Sequence, residues 1–178
     1  IDRLIALPVG FKYTNESCDF DFELRVDGRG VVEGVEAANG FETTGGECDF
    51  GGAKVSDKIM VIENLMNKVD TILIGGGMAY TFLKAQGMEI GSSKLEADKI
   101  DIAKSIMKSA KEKGVKLVLP VDHLIADKVD AVSNTRVVTD VVPQGWMALD
   151  VGPKTVDEFK KELRNAKMII WNGPLGVF

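Results

Sequence analysis

A chain of 178 residues can bury one good hydrophobic core, or one domain with an appendage, and its 45% hydrophobic and 28% charged residues are ordinary for a soluble globular protein. No apolar run reaches membrane-spanning length and no basic region precedes an apolar stretch at the N-terminus, so neither a membrane protein nor a secreted one is expected. The net charge of −5 argues against non-specific nucleic-acid binding while leaving room for a local basic site.

The first fifty residues differ from the rest. They hold eleven acids against four bases, a net of −7 that leaves residues 51–178 at +2 of the total −5, and they contain both cysteines and five of the eight phenylalanines. From Asp19 to Asp27 polar and apolar residues alternate, the pattern of a half-buried strand. Asp27-Gly28-Arg29-Gly30 signals a turn, Val31-Val32 restarts extended chain, and Asn39-Gly40 is a second hairpin-type signal before Phe41. Residues 1–50 are therefore expected to be a β-rich segment distinct from 51–178. Asp19, Asp21 and Glu23 share one face of that strand, and solvation explains them better than cation binding. Cys18 and Cys48 lack a metal-ligand spacing; a disulfide between them is open, but two reduced thiols in a cytosolic setting are favoured.

From residue 51 the rhythm becomes helix, strand, helix, strand. Ser56 can cap a helix in which Ile59, Ile62, Leu65 and Met66 follow at helical spacing. Asp70 to Ile74 is a short apolar run suited to a buried strand; it stops at Gly75-Gly76-Gly77, and a helix starts at Met78. Glu96 to Lys113 predicts the longest helix, with Ile100, Ala103, Ile106, Met107 and Ala110 as its buried stripe and Gly114 as its stop. Val115 to Pro120 is a further strand, Thr155 to Leu163 a helix, and Met168 to Trp171 a last buried strand. This alternation implies an α/β fold, a Rossmann-like parallel sheet with helices on both faces.

In such sheets ligands bind beyond the carboxyl ends of the strands. Three predicted strand ends carry glycine or proline: Gly75-Gly76-Gly77, Pro120-Val121-Asp122 and Asn172-Gly173-Pro174. Gly51-Gly52-Ala53-Lys54-Val55-Ser56-Asp57-Lys58 adds paired glycines, two lysines and a helix start, a candidate anion cradle that is not a Walker loop. By itself a glycine turn with solvated lysines explains it equally well. His123, the only histidine, has no partner identifiable from sequence, so a surface loop or packing outweighs catalysis. Asp122 could orient a lysine, though strand-end acids are often helix caps. Met147 and Leu149 are as well suited to a core as to a pocket wall.

Taken together, Gly51–Lys58, Leu73–Leu83, Leu119–Asp122, Gly145–Thr155 and Trp171–Phe178 resemble, in order and approximate spacing, the motifs of the phosphoglycerate kinase family. The resemblance covers residues 51–178 and implies that family's nucleotide-binding domain. It implies phosphoryl transfer between 1,3-bisphosphoglycerate and ADP, giving 3-phosphoglycerate and ATP in glycolysis, in the cytoplasm, with Mg2+ carried by the nucleotide. Lys54 and Lys58 would contact the nucleotide phosphates and the group in transit. Gly52, Gly75 and Gly76 would line the adenine slot, with Ala53 among the nucleotide contacts. Leu95, Met147 and Leu149 would be its apolar walls, and Asn172, Gly173, Pro174 and Val177 would flank ribose and phosphates. No residue is assigned as a metal ligand, and neither a nucleic acid nor a membrane is an expected partner.

The resemblance also fails in places. Before the glycine-lysine motif the family has an apolar strand, whereas Gly46-Glu47-Cys48-Asp49-Phe50 is polar. The family's N-terminal domain, with its basic phosphoglycerate site and catalytic arginine, is not in this sequence, nor are the acidic ribose contact and aspartate-bearing phosphate loop that follow Phe178 in the family. Phosphoglycerate is expected to bind only if that domain is supplied, and the 178 residues alone are expected to have little or no kinase activity. The alternative is a nucleotide-binding fragment or fusion without kinase activity. Residues 1–50 fit a fusion or engineered replacement, an unusual insertion, or a mis-assigned stretch.

Overall fold

Three apolar residues in a row, Ile72-Leu73-Ile74, organise the molecule, because a strand with no polar face must be covered on both sides. The computed structural model describes residues 4–8, 22–26, 32–37, 59–67, 69–130, 132–164, 166, 169–171 and 175–177. Among them β1 (Leu4–Pro8), β4 (Thr71–Gly75), β5 (Lys116–Val118) and β9 (Ile169–Trp171) form a parallel sheet in the order β5-β4-β1-β9. β2 (Phe22–Val26) and β3 (Val32–Ala37) are an antiparallel pair. β6 (His123–Ala126), β7 (Thr135–Val138) and β8 (Met147–Val151) form an antiparallel sheet in the order β7-β6-β8. The helices are α1 (Ile59–Leu65), α2 (Ala79–Ala85), α3 (Ile100–Glu112) and α4 (Pro153–Arg164), and a 3-10 turn at Ala97–Lys99 precedes α3.

Every residue of β4 is buried. Successive side chains of a strand point to opposite faces, and the two faces meet different helices. Ile72 and Ile74 pack with Ile62 and Leu65 of α1, Phe82 of α2, and Ala103, Ile106 and Ala110 of α3. Leu73 packs with Phe159 of α4, and Leu163 closes against it. Helices therefore cover both faces, as the alternation of elements implied.

α3 buries Ala103, Ile106 and Ala110 along one stripe, while Ile100 and Met107 are half-buried at its border. Its end follows from Gly114, at φ +72°, a conformation that costs glycine nothing. The reversed chain lets the Val115 N–H reach the Ala110 carbonyl at 2.8 Å, which satisfies a carbonyl that the helix leaves open. The helix expected from Glu96 is tighter at its start, in the 3-10 turn.

Two features were not anticipated. One is the β7-β6-β8 sheet, whose strands carry no alternating signal: His123, Ile125 and Ala126 in β6 are buried, whereas Thr135 to Val137 in β7 are exposed. The other is β1, which is drawn from the first fifty residues and pairs with β4 and β9. The expected turns at 27–30 and 39–40 and the Cys18–Cys48 question lie outside the described residues.

Phe82 is fully buried where α2 meets α3 and β4. Phe82→Ala is expected to cost about 4 kcal/mol of stability, through lost transfer energy and the cavity left behind. Urea denaturation checks this; an unchanged midpoint would contradict the docking of α2.

Candidate functional site

Loops from the carboxyl ends of several strands are tied together by backbone hydrogen bonds. After β4 the chain turns through Gly76, at φ +65°, whose N–H donates to the Leu175 carbonyl at 3.2 Å. Two residues later in the same post-β9 segment, the Val177 N–H donates to the Leu149 carbonyl of β8 at 2.8 Å. A Cβ added to Gly176 would fall on the Asp150 carboxylate, so this segment lies directly on the end of β8. The loop that carries Leu95 is held from two sides. The Ala148 N–H donates to the Ser93 hydroxyl at 2.9 Å, and the Glu96 N–H donates to the Thr81 hydroxyl of α2 at 3.2 Å.

These ties gather Gly75, Gly76, Leu95, Met147, Leu149 and Val177 along one edge of the fold. Leu95 and Val177 are 38% and 60% exposed, so this edge presents apolar surface to solvent. Met147 and Leu149 are half-buried in β8 on either side of Ala148, which packs on the cluster of Tyr80, Leu83 and Ile90. Gly52, Ala53, Lys54, Lys58, Asn172, Gly173 and Pro174 lie outside the described residues. A groove of about 370 Å³, lined by Lys84, Glu89, Gly91, Val141 and Pro143 among others, shares only Leu95 with the expected set.

Behind this edge sits a polar joint that the sequence did not announce. Asp122 is almost wholly buried and caps α4 from thirty residues away. Its carboxylate accepts the Lys154 N–H at 2.9 Å, the Thr155 N–H at 2.8 Å and the Thr155 hydroxyl at 2.7 Å. The Thr155 oxygen in turn accepts the N–H groups of Val121 and Asp122 at 3.0 and 3.1 Å. Pro153 at the first helical position and the carboxylate at the positive end of the helix dipole complete the cap. Burial opposes ionisation of Asp122, but the Thr155 hydroxyl, the two N–H groups and nearby His123 together hold its carboxyl below the usual range. Of the two readings of Asp122, the helix cap is the one observed.

His123 is fully buried in β6, which resolves its reading to packing. Its Nδ1 lies 3.1 Å from the Tyr80 hydroxyl, with the rings tilted at 57°. Among the described residues its Nε2 has no partner. Burial lowers the imidazole pKa, against the opposing pull of Asp122, so the ring is neutral in the fold. Burial first, and the Asp150 carboxylate second, push the Tyr80 phenol well above its ordinary value. The pair clamps α2 to the antiparallel sheet.

Comparison with known proteins decides the family. The phosphoglycerate kinase family model matches residues 49–178. The chain belongs to the phosphoglycerate kinase family. It is 62% identical over 131 residues to the phosphoglycerate kinase of Acidobacterium capsulatum, covering 72% of this chain and 32% of that protein. Identity to the Pseudothermotoga lettingae phosphoglycerate kinase is 57% over 131 residues, with 72% and 33% covered. Among solved structures, phosphoglycerate kinase from Coxiella burnetii superposes with a TM-score of 0.70 at 45% identity, over 71% of this chain and 33% of that one. The chain thus spans about a third of the length of the family members it matches.

Two predictions concern the joint. In Gly152→Ala the new Cβ meets the Asp122 carboxylate, which its hydrogen bonds prevent from moving aside. A loss of about 2 kcal/mol is expected by thermal or urea unfolding. Asp122→Asn should cost a similar amount near neutral pH, about 2 kcal/mol. Because the folded-state pKa of Asp122 is depressed, that difference should shrink as pH falls from the unfolded carboxylate value through the folded one.

A further pH effect comes from His123. Its folded pKa is lowered, so the unfolded chain takes up the proton first, near the unfolded value of about 6.5. Wild type should lose stability as pH falls from 7 towards 5, and His123→Gln should lose less over the same interval. Parallel pH profiles of the two proteins would contradict a buried neutral imidazole.

Proposed function

We propose that residues 51–178 are the nucleotide-binding portion of a phosphoglycerate kinase, acting in the cytoplasmic glycolytic transfer of a phosphoryl group between 1,3-bisphosphoglycerate and ADP. The observation that carries this reading is the convergence of Gly75-Gly76, Leu95, Met147, Leu149 and Leu175–Val177 on one sheet edge, within the family match. Glycine backbone and aliphatic side chains suit a flat purine ring, which needs close approach and apolar walls.

Magnesium arrives with the nucleotide, as the substrate MgADP or MgATP. The chain's own part is to bind and orient. Lys54 and Lys58, one helical turn apart in sequence, supply positive charge to the phosphates, and Asn172 supplies a polar contact beside ribose and phosphate. Phosphoryl transfer asks little covalent chemistry of a protein; positioning and charge stabilisation make up most of the catalysis. Phosphoglycerate would be bound by family elements outside these 178 residues. A second reading is a nucleotide-binding fragment or fusion without kinase activity.

Calorimetric titration with MgADP tests both. Binding is expected, with Asn172→Ala weakening it by about tenfold, the equivalent of one net hydrogen bond. Turnover by the 178-residue chain, assayed with 1,3-bisphosphoglycerate, is expected to be negligible. Absence of MgADP binding to a folded protein would remove the nucleotide reading.

A further inference from the structure

The middle of the parallel sheet comes from outside the residues that match the family. The match begins at residue 49, yet β1 lies between β4 and β9. Its register runs from Leu4 opposite Thr71 to Pro8 opposite Gly75 on one side, and from Leu4 opposite Ile169 to Ala6 opposite Trp171 on the other. β4 and β9 pair with β1 and not with each other, so two strand spacings, about 10 Å, separate them.

Without β1, the matched part of the chain would hold a gap one strand wide. One border is the open ladder edge of β4; the other is β9, three residues long, which has no other ladder among the described residues. Unpaired edges of this kind recruit strands, and a three-residue strand has little stability alone. The chemistry of the occupant is dictated by its neighbour. β4 is buried throughout, so a strand beside it must be apolar at successive positions and not at alternate ones. Gly46-Glu47-Cys48-Asp49-Phe50, which enters the matched region, lacks that pattern, whereas Leu4-Ile5-Ala6-Leu7 has it. A parallel partner also requires a crossover, and the cost of the long connection from Pro8 to α1 grows only logarithmically with its length.

We propose that the sheet carries a strand-accepting slot between β4 and β9, which takes an extended apolar segment running parallel to both and is filled in cis by Leu4–Pro8. Backbone ladders supply the affinity, and unbroken apolar character supplies the selectivity. The tether keeps the donor at high effective concentration, so the slot stays filled within one chain. This proposal does not depend on the nucleotide reading.

The test uses the full chain, with amide hydrogen exchange as the readout. Ala6→Pro removes a backbone donor at a residue that borders both ladders while adding little bulk. Protection of the β4 and β9 amides is expected to fall on the order of a hundredfold. A synthetic peptide spanning residues 1–11, added to this variant, should restore protection in both strands, and the same peptide with Ala6→Pro should not. Undiminished protection in the variant would overturn the proposal. So would equal effects of the two peptides.

Discussion

Burial of β4 on both faces is the constraint from which the rest of the arrangement follows. Ile72, Leu73 and Ile74 leave no polar face to solvent, so α1 and α3 must cover one side and α4 the other. Three layers of that kind leave irregular chain only at the strand ends. The strand stops at glycine, and the chain leaves it through Gly76 with positive φ, directly against the segment after β9. The edge where the loops gather is thus a consequence of the core.

A second interaction locks the antiparallel sheet to this core. The Asp122 carboxylate is desolvated, which by itself would be costly, and three donors from the start of α4 offset that cost. The neighbouring Tyr80–His123 pair ties α2 to β6, joining the helix after the glycine turn to the antiparallel sheet. Burial keeps both rings neutral at pH 7, although the Asp122 and Asp150 carboxylates lie nearby. Removing one partner from such a buried set leaves the other unpaired, which is costly away from water.

Much of the architecture could be read locally. Apolar runs at 70–74 and 168–171 became β4 and β9, helical spacing at 100–110 became α3, and Gly114 ended that helix where a glycine stop was expected. Of the expected nucleotide contacts, Gly76, Leu149 and Val177 are linked through the segment after β9 by backbone hydrogen bonds. The start of α4 was placed two residues late, because its cap comes from Asp122, and capping from across the sequence leaves no local signal. The β7-β6-β8 sheet escaped notice because its strands differ in burial as whole units and do not alternate residue by residue.

By itself, then, the sequence determined the α/β class, the helices and parallel strands of residues 51–178 and the family, since these rest on periodicity, turn chemistry and ordered motifs within short windows. Tertiary structure alone decided what spans distance. It showed that Leu4–Pro8 enters the sheet between β4 and β9, that Asp122 serves a helix thirty residues on, and that His123 pairs with Tyr80. The physical reason is common to all three: hydrogen-bond partners and ladder neighbours are chosen by proximity in space, and spacing along the chain does not encode it.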